Sequence, residues 1–593
     1  MALVKEYKRL WAVLAVGAVA LILQFGLGHA FWAQMVITIL GGALAILMFV
    51  DMVKTLRAGN FGVDLLAITA IIATLAVGEY WASMIVLLML TGGDALEDFA
   101  ANKANSDLQS LLANNPTSAH KVVADGQYQE VAADDLQVGD TILVRPGEVV
   151  PADATVVSGA SEVDEASLTG EARPIAKSVG DDVMSGSING EAALTLTVEK
   201  RAKDSQYQSI VALVAEAESK PAHFVRMADR YAVPFTLVAY LIAGVAWFVA
   251  KDPVRAAQVL VVASPCPLIL AAPVAMVSGM SRASREGIIV KSGTTLEKLA
   301  AAKTFAFDKT GTLTRGVLTV DQVLPQPDFD EAALLNLAAG CEQQSGHILA
   351  RSLVAHAGKD LPAATEVNET TGLGVAAQVN GHAVKVGQAK FIPGAQSLAQ
   401  TAVYVEVDGQ YAGAITFSDE LRTEARETIS DLHAQGVIDT VMISGDQQAT
   451  ADAVAKSVGI DHVYAHKLPA EKIEVLETLK QRPVVMVGDG VNDAPSLAAA
   501  DVGIAMGAHG ATAASESADA VVLRDDLSKV AQARVIGTQT LKVAKEAVWI
   551  GIAICTGLML IAATGVIPTI IGAMFQEVVD TVTILYALKA RNG

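Results

Sequence analysis

The chain has 593 residues, more than one hydrophobic core can organise, so several domains are expected. Its hydrophobic content of 52% and mean hydropathy of +0.42 are high for a soluble protein, and its net charge of -20 argues against a nucleic-acid partner, because phosphate binding needs clustered lysine and arginine. Its three cysteines, Cys266, Cys341 and Cys555, indicate no disulfide framework and are typical of domains that face a reducing cytosol.

Long apolar runs predict a membrane domain. A membrane-spanning helix needs about 20 apolar residues, and eight runs meet that criterion. The first run could be a signal peptide, but no small-residue cleavage site followed by a soluble domain is visible, so we interpret it as a membrane helix. The predicted spans cover approximately residues 10–28, 32–53, 62–78, 80–99, 230–250, 256–280, 544–565 and 567–587.

Basic residues in the short loops predict the orientation of these spans, since lysine and arginine accumulate on the cytosolic side. They precede the first span and follow the second and the eighth, whereas the turns at 29–31 and 566–569 carry no formal charge. The 251–255 turn, with two basic residues, is an exception. We therefore expect a multi-pass protein of the cell membrane whose termini and two long polar insertions are cytoplasmic. The basic residues concerned are Lys5, Lys8, Arg9, Lys54, Arg57, Lys589 and Arg591.

The first polar insertion, residues 100–229, predicts a mostly β module flanked by helices. Short runs of Val, Ile and Leu alternate there with glycine and proline turns. The module contains Thr169-Gly170-Glu171, in which a glutamate on a glycine-containing loop can present its carboxylate to an attacking water. Taken alone, such a triplet is more often an ordinary turn.

The sixth predicted span contains Ser264-Pro265-Cys266-Pro267. Two prolines break the backbone hydrogen bonds of a membrane helix, which is tolerated only where the freed groups meet protein, water or a ligand. A cysteine thiolate at that break suits soft or borderline transition metals. The alternative is a buried hydrophobic cysteine at a structural kink.

The second polar insertion, residues 282–543, alternates short apolar strands with helical patterns and predicts a parallel α/β sheet. Asp308 opens Asp308-Lys309-Thr310-Gly311-Thr312-Leu313-Thr314 and follows the apolar run 304–307, which predicts a buried strand. A carboxylate at the tip of a sheet can act as a nucleophile and form an aspartyl phosphate. A loop rich in Thr, Gly and Asp could also be a simple turn.

Two further strand-like runs end in polar residues, at Ser444-Gly445-Asp446 and at Gly488-Asp489-Gly490-Val491-Asn492-Asp493. Asp308, Ser444 and Asp489 could therefore converge at one edge of the sheet. Mg²⁺ prefers carboxylate oxygens together with phosphate, which Asp308, Asp489 and Asp493 can supply. Lys472 is a candidate counter-charge for the phosphate, although on spacing alone it could equally be a solvated helix lysine.

The eighth predicted span carries polar residues early in an otherwise apolar run. Gln576 and Asp580 are four residues apart and Glu577 and Asp580 three apart, so they share a helix face. Because a carboxylate inside a membrane costs about 2.5–3.5 kcal/mol, these residues should be functional or paired. The competing interpretation places them at the outer interface. Cys555, in the seventh span, is a weaker candidate ligand.

Taken together, the motifs 169–171, 308–314, 444–446 and 488–495, in this order between membrane helices, resemble those of the P-type ATPases. The resemblance covers essentially the whole chain. It implies a multi-domain membrane protein with an eight-helix transmembrane domain, a β-rich actuator domain, an α/β phosphorylation domain of haloacid-dehalogenase-like type and an α+β nucleotide-binding domain. The expected limits are 1–99 for membrane helices one to four, 100–229 for the actuator domain, 230–281 for helices five and six, 282–320 and 417–543 for the phosphorylation domain, 321–416 for the nucleotide-binding domain, and 544–593 for helices seven and eight.

The resemblance also implies roles for particular residues. Asp308 is expected to be phosphorylated by ATP, and Glu171 to direct hydrolysis of the phosphate. Mg²⁺ is expected at Asp308, Asp489 and the carbonyl of Thr310, with Asp493 as a further ligand. The other expected catalytic residues are Thr169, Lys309, Thr310, Ser444, Gly445, Asp446, Lys472 and Asn492.

The insert at 321–416 is expected to bind ATP. The segments 342–347 and 372–374 resemble the Ser-Glu-His-Pro and Gly-x-Gly elements of the heavy-metal-transporting branch, where the histidine helps hold adenine and the glycines let the backbone approach it. In this chain Gly346 and Ile348 replace the glutamate and the proline of that pattern. The expected ATP contacts are Glu342, His347, Gly372 and Gly374.

The Ser-Pro-Cys motif resembles the metal-site motif of the same branch, where Cys-Pro-Cys is the commoner form, and Gln-Glu-x-x-Asp resembles a pattern in its Ser/Thr-Pro-Cys subgroups. One thiolate with two carboxylates suits a divalent ion such as Zn, Co, Ni, Fe(II), Mn or Cd over Cu(I). The expected ligands of the transported ion are Cys266, Glu577, Asp580, Ser264 and Gln576.

We predict an ATP-driven pump for a divalent transition-metal ion, with export as the family default and import left open by these motifs. ATP, Mg²⁺, the transported ion and the lipid bilayer are the expected cofactors and partners, and we expect the protein to act as a monomer. One alternative is a P-type pump for potassium, calcium or lipid, which metal-stimulated ATPase activity would distinguish. The other is a membrane-anchored phosphohydrolase or sensor without transport, whose hydrolysis would be indifferent to Cys266→Ala.

Overall fold

The structure is a computed structural model, and the chain forms two compact units. Unit 1 comprises Met1–Thr304, Leu479–Val485 and Ala494–Gly593, and unit 2 comprises Phe305–Thr478 and Met486–Asp493. The described residues are 8–57, 65–104, 118–123, 128–165, 174–205, 208, 223–263, 266–358, 360–370, 372–396, 398, 400–489, 493–507 and 517–592.

Unit 1 begins with four apolar helices that pack together around small and aliphatic side chains. The shared core includes Ile37, Ile71 and Leu87, none of which is more than 1% exposed. These helices are α1 (Lys8–Leu21), continued by a π-helical turn over Ile22–Gly26, then α2 (Ala30–Arg57), α3 (Leu65–Ala76) and α4 (Tyr80–Ala104).

The mostly β module predicted after these helices is confirmed. A six-stranded sheet has the order β2-β1-β3-β9-β4-β7 and a three-stranded sheet the order β6-β5-β8. Alternating apolar residues such as Ile142, Val144, Leu194 and Leu196 form its core, as expected for strands with one buried face. The strands are β1 (Ser118–Val122), β2 (Tyr128–Ala132), β3 (Thr141–Val144), β4 (Ala154–Ser158), β5 (Ser161–Asp164), β6 (Ile175–Lys177), β7 (Asp182–Val183), β8 (Ile188–Asn189) and β9 (Leu194–Val198).

The span predicted over 256–280 is divided into two helices. Helix α6 (Pro253–Val262) ends just before Ser264-Pro265, and helix α7 (Cys266–Arg285) begins at the cysteine, so that Pro267 lies in its first turn. Proline is tolerated there because the first N–H groups of a helix have no partner within the helix. The preceding helix, α5 (His223–Ala250), contains Pro234.

After α7 the chain enters the α/β region, in which unit 1 holds β10 (Ile288–Val290) antiparallel to β22 (Ala520–Val522) and β21 (Val502–Met506) parallel to β22. Four strands that lie mostly in unit 2 are neighbours in the order β20 (Val484–Gly488), β11 (Thr304–Asp308), β18 (Asp439–Ile443) and β19 (His462–Tyr464), with β18 and β19 parallel. The strand predicted at 304–307 is confirmed as β11, whose five residues are all buried. The elements that precede the insert are β10 (Ile288–Val290), α8 (Gly293–Ala301) and β11 (Thr304–Asp308).

The insert forms a separate six-stranded antiparallel sheet in unit 2, with the order β12-β17-β16-β15-β14-β13. Two helices cover it and share its core through Leu334, Ala338 and Leu353. The expected limits at 321 and 416 fall inside paired strands. The elements are β12 (Thr314–Pro325), α9 (Glu331–Glu342), α10 (Ile348–Ala357), β13 (Ala364–Thr370), β14 (Gly374–Val379), β15 (His382–Gly387), β16 (Ala402–Val407) and β17 (Gln410–Leu421).

The remainder of the α/β region and two long helices complete the chain. Strands and helices alternate after β17, as the sequence predicts. They are α11 (Ala425–Ala434), β18 (Asp439–Ile443), α12 (Gln448–Val458), β19 (His462–Tyr464), α13 (Pro469–Thr478), β20 (Val484–Gly488), α14 (Ala494–Ala499), β21 (Val502–Met506), β22 (Ala520–Val522), α15 (Ser528–Thr564) and α16 (Thr569–Ala587).

Within the described part of the chain, five helices are long and apolar enough to cross a membrane. Three shorter apolar stretches correspond to the third, fourth and sixth predicted spans but fall below that length. They are Leu65–Ala76, the Tyr80–Gly92 part of α4, and Pro253–Val262. The count of eight spans therefore remains a prediction. The five long helices are Lys8–Gly26, Ala30–Lys54, Val233–Ala250, Ser528–Thr564 and Thr569–Arg591.

Candidate functional site

Asp308 is the last residue of the buried strand β11 and is itself only 8% exposed. The next residues, Lys309–Leu313, form a tight turn in which Thr310 is extended and Gly311 has a φ of 73°. A side chain would be strained at that φ. The turn therefore ends the strand abruptly and leaves the Asp308 carboxylate at the tip of the sheet.

Lys472, from helix α13, lies between two carboxylates. Its Nζ is 2.5 Å from Oδ1 of Asp308 and 2.7 Å from Oδ1 of Asp493. Burial raises the pKa of Asp308 to about 6; the Asp493 charge also raises it, whereas Lys472 lowers it. Burial opposes the charge of Lys472, but the two carboxylates prevail and raise the pKa of this lysine above its usual value. Lys472 is therefore a charged partner of Asp308 and not a solvated surface lysine.

The Ser444-Gly445-Asp446 motif holds Lys309, the residue that follows Asp308. The Nζ of Lys309 is 2.5 Å from Oδ2 of Asp446. The hydroxyl of Ser444 donates to the same Asp446 oxygen at 3.0 Å, and the backbone N–H of Asp446 donates to that hydroxyl at 3.1 Å. The motif thus converges with the Asp308 turn, as predicted from the strand ends.

Asp489 lies against the same turn. A Cβ placed on Gly311 would be 2.5 Å from Oδ2 of Asp489, so the backbone and the carboxylate approach closely only because residue 311 is glycine. The charge of Asp489 contributes to the raised pKa of Asp308. A Cβ on Gly488 would similarly be 2.8 Å from Oδ2 of Asp493.

The donors available for Mg²⁺ are Asp308 and Asp489. Among the described residues, no group of three or more His, Cys, Asp or Glu side chains is arranged to hold a metal ion by itself. Magnesium in phosphoryl-transfer sites needs only one or two carboxylates, because phosphate and water supply the other oxygens. The two aspartates fit that requirement. Asp493 accepts from Lys472, as Asp308 does, but is only 1% exposed.

Sequence reasoning missed Arg422 and Asp419. The guanidinium of Arg422 donates to the carbonyls of Thr312 at 2.8 Å and Gly311 at 3.1 Å, and Asp419 accepts from the hydroxyl of Thr314 at 2.5 Å. Both residues therefore hold the turn that follows Asp308. They lie at the end of β17, so the same pattern of an apolar strand followed by polar residues could have identified them.

The expected ATP contacts lie at one end of the insert. Glu342, the last residue of α9, is 7% exposed, and burial raises its pKa to about 7. The neighbouring Cys341 thiol donates to the carbonyl of Val375 at 3.6 Å, beside Gly374. That contact brings Glu342 near the start of β14.

His347 has a structural role at its helix, because its Nδ1 accepts from the backbone N–H of Leu349 at 3.3 Å and caps α10. Ser345 links it to Glu342, because the backbone N–H of His347 donates to the Ser345 hydroxyl at 3.3 Å and the backbone N–H of Ser345 donates to the carbonyl of Glu342 at 3.0 Å. The two glycines differ in their surroundings. Gly372 has a φ of 71° with open space around it, whereas Gly374 lies against the backbone of β15.

A polar chain is buried between the last two long helices. The Cys555 thiol of α15 donates to Oε1 of Gln576 at 3.6 Å, and Nε2 of Gln576 donates to Oδ1 of Asp580 at 2.9 Å. Cys555 and Gln576 are 0% exposed and Asp580 is 5% exposed, whereas Glu577 is only half-buried. The shared face predicted for Gln576 and Asp580 is confirmed, and their burial disfavours an outer-interface position for those two.

Several predicted site residues cannot be placed. Thr169, Glu171, Ser264 and Asn492 lie outside the described residues, and Cys266 is described only as the first residue of α7. Their roles stay predictions.

Comparisons with known proteins agree with this geometry. The family model of the P-type ATPase actuator domain matches residues 113–215, and that of haloacid dehalogenase-like hydrolases matches residues 302–501. The chain is 38% identical over 505 residues to a zinc-transporting ATPase of Bacillus subtilis (strain 168), covering 80% of this chain and 79% of that one. It is 34% identical over 594 residues to a cadmium, zinc and cobalt-transporting ATPase of the same organism, covering 96% and 84%.

A solved structure shows the same similarity in three dimensions. The crystal structure of a zinc-transporting PIB-type ATPase in its E2.Pi state superposes with a TM-score of 0.68 at 30% identity. The match covers 99% of this chain and 100% of the other.

Proposed function

Because the chain belongs to the P-type ATPases, in their heavy-metal-transporting branch, we propose that it uses ATP to move a divalent transition-metal ion across the plasma membrane through an aspartyl phosphate at Asp308. The observation that carries this proposal is the buried chain of Cys555, Gln576 and Asp580. A carboxylate buried between apolar helices is costly unless it is functional or paired. The side chains of Cys555, Gln576 and Asp580 supply donor atoms for a metal cation between two apolar helices, where a pump would bind its ion.

Phosphorylation follows from the position of Asp308. Its carboxylate attacks the terminal phosphorus of ATP, the bond to the leaving ADP oxygen breaks, and an acyl phosphate forms. Lys472 offsets negative charge beside Asp308, and Asp493 holds that lysine in place. Lys309, anchored by Asp446, brings a second positive charge to the same end of β11. Mg²⁺ held by Asp308, Asp489 and the carbonyl of Thr310 would offset the charge of the transferring phosphate.

Dephosphorylation resets the pump. We assign Glu171, supported by Thr169, to orient the water that attacks the phosphate, as the family resemblance implies. Asn492 and Ser444 with Gly445 complete the proposed surroundings of the phosphate. The insert at 321–416 would bind ATP through Glu342, His347, Gly372 and Gly374.

The membrane topology completes the proposal. Eight spans, with both termini and the catalytic domains cytoplasmic, place the ATP site on the side from which an exporter takes its ion. Shorter helices such as α3 and α6 would cross together with adjoining residues. We propose that the pump acts as a monomer.

The transported ion is proposed to be zinc, cadmium or cobalt. The two curated relatives named above are described as transporting these metals, and sulfur together with carboxylate oxygen suits such borderline and soft cations better than magnesium or calcium. Cys266, Ser264, Gln576, Glu577 and Asp580 are the proposed ligands.

The test is the ATPase activity of purified, reconstituted protein with Zn, Co, Ni, Fe(II), Mn, Cd or Cu(I) added singly. One or two divalent ions should stimulate hydrolysis, and Asp308→Asn and Cys266→Ala should both be inactive. Cys341→Ser is the matched control, because Cys341 lies in the insert and should leave stimulation unchanged. Activity that ignores every metal or survives Cys266→Ala would favour a phosphohydrolase without transport.

A further inference from the structure

The described part of the chain contains two buried cysteines whose surroundings differ. Cys341 donates to the backbone carbonyls of Val375 and Val384, which both lie in strands of the insert. Its burial is structural, as is usual for free cysteine. Cys555 instead points its thiol at the side-chain oxygen of Gln576.

The partners of Cys555 are groups that can bind a cation. Gln576 uses its N–H₂ group to hold Asp580, so that its Oε1 faces the Cys555 sulfur. Two hydrogen bonds thus connect the sulfur of Cys555 to the amide of Gln576 and that amide to a carboxylate oxygen of Asp580. Each is almost completely buried, and they come from two helices.

We propose that Cys555 is a direct sulfur ligand of the transported ion, beside Asp580 and the Oε1 of Gln576. This inference rests on the proposed function and deepens it by assigning the class of ion. When the ion binds, the Cys555 S–H bond breaks, the proton is released to water, and the sulfur lone pair forms the metal–sulfur bond. Gln576 then loses the hydrogen bond from the thiol and its oxygen becomes free to face the ion.

A sulfur from α15 changes the expected selectivity. The Ser-Pro-Cys motif supplies one thiolate where Cys-Pro-Cys would supply two. With Cys555, the chain offers two thiolates from different helices. Such a site is softer than one thiolate with two carboxylates, so it should favour Zn²⁺ and Cd²⁺ over Mn²⁺ and Fe²⁺.

The test counts sulfur neighbours of bound zinc in the full-length purified protein by X-ray absorption, which separates zinc–sulfur bonds of about 2.3 Å from bonds to nitrogen or oxygen of about 2.0–2.2 Å. Wild-type protein should show two sulfurs, and Cys555→Ser should show one. Cys341→Ser, a buried cysteine outside the membrane helices, should keep two. Proton release on zinc binding should fall by about one per ion in Cys555→Ser.

Selectivity provides an independent measurement. Cys555→Ser should lose at least about tenfold in Cd²⁺ affinity and much less in Co²⁺ affinity, because a hydroxyl is a harder donor. A zinc–sulfur count that does not fall in Cys555→Ser overturns the proposal. If that variant does not fold, Cys266→Ser decides the matter, because it should keep the one sulfur of Cys555, and a count of none overturns the proposal. A wild-type protein whose ATPase ignores metals would instead refute the proposed function.

Discussion

At the scale of single residues, the charge around Asp308 depends on Lys472. One ammonium group contacts two carboxylates, Asp308 and Asp493, and Asp489 adds a third negative charge nearby. A cation stabilises neighbouring negative charge most strongly where water is excluded, because the local dielectric constant is low. Lys472 therefore offsets the charge of these carboxylates and provides a positive charge beside Asp308 for the phosphate.

Replacing this lysine tests that role. We expect Lys472→Met to reduce the rate of phosphoenzyme formation from ATP by about 10²–10³-fold, the usual loss for one preorganised electrostatic contact. Lys480→Met, at an exposed position just after the same helix, should phosphorylate normally. Acid-stable incorporation of radiolabelled phosphate measures both. A Lys472→Met rate within a factor of two of wild type would contradict the assignment.

Glu342 provides a prediction about pH. Its pKa, normally 4.5, is about 7 in the folded protein, chiefly through burial, and its Oε2 accepts no hydrogen bond from the described residues. The folded state therefore binds more protons between these values, and stability decreases as pH rises from about 4.5 to about 7. Above pH 7 the penalty is constant, at up to about 3 kcal/mol.

Glu342→Gln removes that penalty, so it should stabilise the insert at pH 8 and have little effect at pH 5. The neighbouring thiol of Cys341 reports local opening, because it is fully buried. At pH 8, alkylation of Cys341 should be slower in Glu342→Gln than in wild-type protein. At pH 5 the two alkylation rates should be nearly equal. If the ratio of the variant's alkylation rate to the wild-type rate were the same at pH 5 and pH 8, burial would not raise the pKa of Glu342.

At the scale of secondary-structure elements, glycines decide how closely the elements approach. Gly311 allows the turn after β11 to contact Asp489. We expect Gly311→Ala to reduce phosphoenzyme formation at least tenfold, since a Cβ there is strained and displaces the carboxylate. Gly436 also has a positive φ, 90°, but open space around it. Gly436→Ala should therefore show only the strain, about 1–2 kcal/mol of stability, with phosphorylation retained.

Helices α7 and α15 meet at a second glycine. A Cβ on Gly279 would overlap the side chain of Thr540. Gly279→Ala should destabilise the full-length protein in detergent by about 1–3 kcal/mol, the usual cost of overpacking. Thr540→Ala in the same chain should restore the melting temperature. Gly557→Ala is the matched control, because a Cβ on Gly557 of α15 would have no atom within 4 Å. This variant should not lower the melting temperature.

At the scale of the whole molecule, the proposal requires the catalytic domains and the α15–α16 turn to lie on opposite sides of the membrane. Val566 in that turn and Ile438 before β18 are both exposed, at 76% and 51%. In intact cells a membrane-impermeant maleimide should label Val566→Cys above the parent chain but not Ile438→Cys. After the cells are broken, both should react. Labelling of Ile438→Cys in intact cells would reverse the proposed orientation.

The linear sequence by itself determined the family and predicted Asp308 as the nucleophile. Seven consecutive residues after an apolar strand mark Asp308, and polar residues inside apolar runs mark Cys266, Gln576 and Asp580, because local patterns carry both signals. The β module and the strand before Asp308 were predictable for the same reason. The number of spans was harder, since α3 and α6 are short helices within longer apolar runs.

Only the tertiary structure decided which distant side chains meet. Lys472 looks like any helix lysine until α13 brings it to Asp308, 164 residues away in the chain. Arg422 reaches the carbonyls of Gly311 and Thr312 only because β17 pairs with β12. Cys555 contacts Gln576 only because α15 packs against α16. Such contacts arise from packing of elements, for which spacing along one chain contains no direct signal.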